Sequence, residues 1–112
     1  MEERAETVDA PEGQIGVRRV GAGPPLIVVN GYAATSMDWD PTFLSALGAH
    51  SSLICPDNRG MGASPAGDDG LEGLSADSMA ADVLAVMDAL GIDSAPVLGW
   101  SMGGFVAQAM AL

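Results

Sequence analysis

The stretch Val97-Leu98-Gly99-Trp100-Ser101-Met102-Gly103-Gly104 constrains the fold of this chain most, because an apolar run, a Gly-x-Ser-x-Gly turn and a helix start follow one another without a break. A serine lifted onto a sharp strand-to-helix turn needs neighbours without a bulky Cβ. Gly99 and Gly103 meet that need, and Gly104 is read as letting the helix pack close. The Ser101 hydroxyl is then expected to project into a pocket. From Met102 to Leu112 there is no Asp, Glu or His, so a serine nucleophile at position 101 finds no base downstream within these residues.

Upstream, the chain alternates between two kinds of segment. Gln14 to Val20 reads as a strand, and Gly21-Ala22-Gly23-Pro24-Pro25 turns it into a second, Leu26-Ile27-Val28-Val29, whose unbroken apolar character suits a strand covered on both faces. Asp40-Pro41 signals a helix start, with Phe43, Leu44 and Leu47 at helical spacing before Gly48. Ser52 to Cys55 is the next expected strand. From Ser75, an expected N-cap, Met79, Val83, Val86, Met87 and Leu90 trace one helical stripe that ends at Gly91, and Ala95 to Leu98 then feeds the serine turn. Residues 1–12 are polar and acidic and read as a flexible leader or a weak edge strand, and the stretch from Pro65 to Gly73 looks irregular. Strand, helix, strand, helix, strand, helix is the order of an α/β domain with a mostly parallel sheet, here one domain over residues 13–112.

Composition narrows the partners. With 48% hydrophobic and 17% charged residues the chain suits a folded domain, and a net charge of −11 repels phosphate backbones and anionic lipid surfaces, so neither nucleic acid nor membrane is expected as a partner. The acidity reads as a solvated surface, and no spacing suggests a metal site. The lone Cys55 fits a buried small residue, not a disulfide. With no signal-peptide pattern and no apolar run of spanning length, the cytoplasm is the expected location.

Three motifs on the expected elements make the chain similar to the α/β-hydrolase family over about residues 14–112: Asn30-Gly31-Tyr32 after the first buried strand, Asp57-Asn58-Arg59-Gly60-Met61-Gly62-Ala63-Ser64 after the next, and Gly99-Trp100-Ser101-Met102-Gly103-Gly104. The resemblance implies the N-terminal part of that fold. It also implies a serine hydrolase acting on an ester, lactone or related acyl bond of a small molecule, without a cofactor. Ser101 would be the nucleophile, with the backbone N–H groups of Met102 and Tyr32 forming an oxyanion hole. Serine in place of aspartate at this turn disfavours epoxide-hydrolase and dehalogenase chemistry.

Two departures accompany the resemblance. Asn30 stands where the family usually has His, so the hydrogen bonds that hold the following loop are expected to differ. The family's acid and His follow the serine in chain order and are absent from these residues, so the chain is expected to be incomplete and inactive alone. The only histidine, His50, lies upstream and is not expected to act as the base. Asp57 and Arg59 are expected to fix their loop. Trp39 and Trp100 are expected to pack around the serine turn, with Trp100 a candidate substrate contact, and the Met stripe to be core. A nucleotide site is not expected, because the glycines at 21 and 23 precede a strand and no Gly-Lys-Ser/Thr occurs. The alternative to a hydrolase is a truncated, non-catalytic interaction module whose exposed sheet edge beside Ala95–Leu98 invites self-association.

Overall fold

The computed structural model describes residues 3–31, 34–65 and 74–112. Val28 and Val29 are fully buried, as the uninterrupted apolar run requires, in a strand β3 that spans Pro25–Val29 and lies inside a five-stranded sheet. The other strands are β1 (Glu3–Ala10), β2 (Gly13–Val20), β4 (Ser52–Pro56) and β5 (Val97–Gly99), in the order β1-β2-β4-β3-β5. β3 pairs in parallel with β4 and with β5, whereas β2 pairs antiparallel with β1 and β4. The sheet is therefore mixed. Its parallel part begins at β3, where helical crossovers separate successive strands, and the hairpin-linked β1 and β2 add an antiparallel flank.

Alternation of side chains along the central strands assigns residues to two cores. Ile27, Val29 and Ile54 face α2 (Ala76–Ala89) and α3 (Met102–Ala111), where Met79, Val83, Val86, Met87 and Val106 meet them. Val28, Leu53 and Cys55 face the other way, onto Leu44 of α1 (Pro41–Gly48) and onto Trp39. The caps that bound these helices are the ones the sequence indicates. Asp40 accepts from the Thr42 N–H at 3.0 Å, and Ser75 makes a reciprocal capping pair with Ser78. Gly91 adopts a φ of +70° just beyond α2.

Residues 3–10, within the stretch read as a flexible leader or weak edge strand, form a complete edge strand paired with β2 from Glu3↔Val20 to Ala10↔Gly13. The two residues Pro11-Glu12 close the hairpin, and Gly13 takes a φ of +126°. Only Val8 and Ala10 reach the core, so the apolar signal is weak, and the strand is secured by its ladder and by ion pairs from Arg18 to Glu3 and Arg19 to Glu6. At the opposite edge, β5 has β3 on one side and no strand on the other among the described residues. Leu84, Ala95, Val97 and Met110 line an open groove there. Most of the stretch that looks irregular, 66–73, lies outside the described residues. Among the described residues no helix is long and apolar enough to cross a membrane.

Cys55 is fully buried in β4, and burial pushes its thiol up to about 12. An unfolded chain gives up that proton from roughly pH 8.5, whereas the folded one holds it, so the thiol's contribution to stability is complete below that pH and is lost as pH rises toward 12. Accordingly, an aromatic disulfide reagent at pH 8 should detect no thiol in the native protein and one after denaturation. A full equivalent reacting at once with the folded protein would contradict the burial.

Candidate active site

Trp100 ends the β5 side of the ladder by donating its N–H to the Val29 carbonyl at 3.0 Å, and the chain then reverses into α3. The turn is made at Ser101, whose φ of 56° and ψ of −120° make it the one non-glycine residue with positive φ among those described. Such a conformation costs about 1–3 kcal/mol and persists only where surrounding structure enforces it. Enforcement comes from both sides of the turn. A Cβ on Gly99 would lie 2.3 Å from the Gly103 carbonyl oxygen, and one on Gly103 would lie 2.1 Å from the Val29 carbonyl oxygen. The close approach of α3 to the sheet therefore belongs to Gly103. Gly104, to which the sequence reading gave that task, has 3.8 Å to its nearest neighbour, the Gly99 carbonyl oxygen.

Ser101 is exposed at the N-cap of α3, and its side chain makes no capping hydrogen bond, so its Oγ is not engaged by the helix it begins. Gly103 and Gly104 donate back to the carbonyls of Trp100 and Ser101 at 2.9 and 2.8 Å. The N–H of Met102, first residue of the helix, has no partner among the described residues, as helix geometry dictates for that position. A serine hydroxyl beside a free helix N-terminal N–H is suited to attack on a carbonyl and to stabilisation of the resulting oxyanion.

The loop after β3 runs directly alongside. A Cβ on Gly31 would lie 3.3 Å from Ser101 Cβ and 3.7 Å from Ser101 Oγ, so only glycine leaves that flank of the hydroxyl open. Gly31 itself donates to Asn30 Oδ1 at 2.8 Å, which occupies its N–H and removes it as an oxyanion donor. Tyr32, the expected second donor, lies outside the described residues.

Asp57 and Arg59 serve their loop. Buried Asp57 accepts from the N–H groups of Ser36 and Ala63 at 2.6 and 3.0 Å, and a Cβ on Gly62 would collide with its carboxylate. Buried Arg59 makes a two-point ion pair with Asp82 of α2 (Nε at 3.2 Å, Nη2 at 2.9 Å) and reaches the carbonyls of Glu12, Gly13 and Pro65. It thereby ties the hairpin turn, the loop and the helix together. Asp82 was legible only as a polar interruption of the α2 stripe, and Asn58 carried no signal beyond its place in a turn.

The two tryptophans divide. Trp39 is buried and stacks on Phe43 with ring centroids 5.7 Å apart. Trp100, expected to pack, is 65% exposed, because it stands beyond the end of its strand where no described element covers it. His50 is exposed, and its carbonyl approaches Gly23, ahead of β3, whereas the Trp100–Ser101 turn follows the far end of that strand. The five residues of β3, roughly 16 Å of extended chain, separate the two levels, so His50 does not serve Ser101.

The sequence model for the alpha/beta hydrolase fold matches residues 24–112. BpoC of Mycobacterium tuberculosis (strain ATCC 25618 / H37Rv), described as a candidate non-heme bromoperoxidase, is 37% identical over 89 residues, covering 79% of this chain and 32% of that protein. Rhodomycin D methylesterase DauP of Streptomyces sp. (strain C5) is 33% identical over 92 residues, covering 81% of this chain and 31% of that protein. Among solved structures, the N-acyl homoserine lactonase AidH complexed with N-butanoyl homoserine superposes with a TM-score of 0.87 at 30% identity, covering 96% of this chain and 39% of that one. The chain spans about a third of the length of the curated relatives it matches. A match over residues 24–112, on the same strand-turn-helix geometry, places this chain in the alpha/beta hydrolase fold family.

Proposed function

We propose that this chain carries the nucleophile half of a serine hydrolase that cleaves an ester, lactone or related acyl bond. The observation that supports it most is the strained, exposed Ser101 at the N-terminus of α3, beside an unpaired Met102 N–H. Ser101 Oγ attacks the carbonyl carbon as its proton passes to a histidine supplied from outside residues 1–112. The carbonyl electron pair moves onto oxygen, where the N–H groups of Met102 and Tyr32 receive it. Collapse expels the leaving group, which takes the proton back from the histidine, and water then releases the acyl group by the same steps. The similarity to a methylesterase and a lactonase supports acyl chemistry, and the serine at position 101 argues against the epoxide opening performed by other relatives.

The test compares two preparations. The polypeptide as its source cell makes it should hydrolyse p-nitrophenyl butyrate, and the isolated 112-residue chain should not, since lack of the base in a comparable triad costs about 10⁶ in turnover. A burst from the isolated chain that Ser101→Ala abolishes would show that the base lies within these residues after all.

A further inference from the structure

Two consecutive residues at the end of β4 grip both ends of the segment that flanks the serine. Asn58 Nδ2 donates to the Asn30 carbonyl at 3.2 Å, and Asp57 Oδ1 accepts from the Ser36 N–H at 2.6 Å. Asn30 closes the segment from within: its Oδ1 holds the Gly31 N–H at 2.8 Å and its Nδ2 donates to the Thr35 carbonyl at 3.1 Å. Asn30, Asp57 and Asn58 are all buried, at 7, 6 and 5% exposure, so these bonds are shielded from competing water. Asp57 is held in turn by Ser64, whose hydroxyl donates to its carbonyl at 2.7 Å and accepts from the Gly16 N–H at 2.9 Å, anchoring the clamp to β2.

We propose that Asn58 is a positioning residue for the reaction at Ser101, acting through Asn30 to fix the distance between the loop at Gly31 and the Ser101 hydroxyl. This deepens the hydrolase reading above and rests on it. Gly31 is held so close that a Cβ there would meet both Ser101 Cβ and the Trp100 carbonyl oxygen at 3.3 and 3.4 Å. The Asn58–Asn30 bond therefore sets how close the Gly31 backbone stands to the Ser101 hydroxyl. A shift of this flank misplaces the carbonyl that Oγ must attack, which lowers turnover while binding of the rest of the substrate is little changed. The clamp also explains how Asn can stand at position 30: its amide supplies an acceptor for Gly31 and a donor for Thr35 at once.

The experiment uses the polypeptide as its source cell makes it, with p-nitrophenyl butyrate as substrate, each variant assayed well below its own melting temperature. Asn58→Ala should lower kcat about tenfold and leave KM within about twofold. A purely structural Asn58 would lower the melting temperature with kcat unchanged, and that result overturns the proposal, as does a rise in KM at constant kcat. Should Asn58→Ala not fold, Asn58→Leu, which keeps the side chain's size and removes the same donor, is held to the same outcomes. Ser101→Ala in the same assay keeps the two ideas apart. Persistence of its activity defeats the hydrolase reading itself, whereas its loss together with a normal kcat for Asn58→Ala defeats only the clamp.

Discussion

Ser101→Ala is expected to reduce turnover of the source polypeptide on an activated ester by about 10⁶, or roughly 8 kcal/mol of transition-state stabilisation, with KM nearly unchanged. The size follows from the division of labour at the turn. Without Oγ no acyl-enzyme forms, and the remaining N–H donors, which still polarise a bound carbonyl, leave only a modest rate above water. A second substitution separates chemistry from strain. Ser101→Gly removes the same hydroxyl but adopts a φ of 56° without penalty, so it should be as inactive as the alanine variant and melt at a higher temperature. Equal melting temperatures would mean that the turn is unstrained, and residual turnover near the parent value would remove Ser101 from the chemistry.

Gly103→Ala is expected to be the most destabilising single methyl at this site, and Gly104→Ala, one residue on, to be harmless. The added Cβ at 103 meets the Val29 carbonyl oxygen at 2.1 Å and the Asn30 carbonyl oxygen at 2.7 Å, all backbone atoms of the central strand and its loop. No rotamer change relieves such a clash, so α3 must lift from the sheet, at a cost of about 3 kcal/mol or more. In a source polypeptide of the length of the relatives that is a fall in melting temperature of about 6–12 °C. At 104 the nearest atom is 3.8 Å away, and alanine is favoured over glycine within a helix by up to about 1 kcal/mol. Thermal melting of the pair decides the matter. Similar values for the two variants would contradict the tight approach at Gly103. Because lifting α3 also moves Ser101 and Met102, the 103 variant should lose activity at temperatures where it is still folded.

What could be read directly from the residues was whatever local chemistry alone decides. The unbroken run from Leu26 to Val29 became a strand covered on both faces, and Asp40 and Ser75 capped the helices they precede. Ser101 came to stand on the strand-to-helix turn that its flanking glycines implied. What escaped depended on partners distant in the chain. Glu3–Ala10 is too polar to decide between a flexible leader and a weak edge strand, and it becomes a full strand because Gly13–Val20 offers a complete ladder and two arginines. The parallel character expected of the sheet holds from β3 onward and gives way to antiparallel pairing at β2. Trp100 looked like core because a large aromatic usually is, yet no described element lies over it. The roles of Gly103 and Gly104 could not be divided by composition, because only the position of the Val29 carbonyl distinguishes them. Asn58 was invisible for the same reason, its partner Asn30 lying 28 residues away.

The claim that Ser101 is an activated nucleophile is tested most directly by treating the source polypeptide with a fluorophosphonate and locating the adduct by peptide mass spectrometry. Attack by Oγ forms the serine–phosphorus bond and expels fluoride, leaving a stable mark on the attacking atom. The expected result is one stoichiometric adduct on Ser101, absent from Ser101→Ala. An adduct on another residue, or none while ester hydrolysis proceeds, would contradict it.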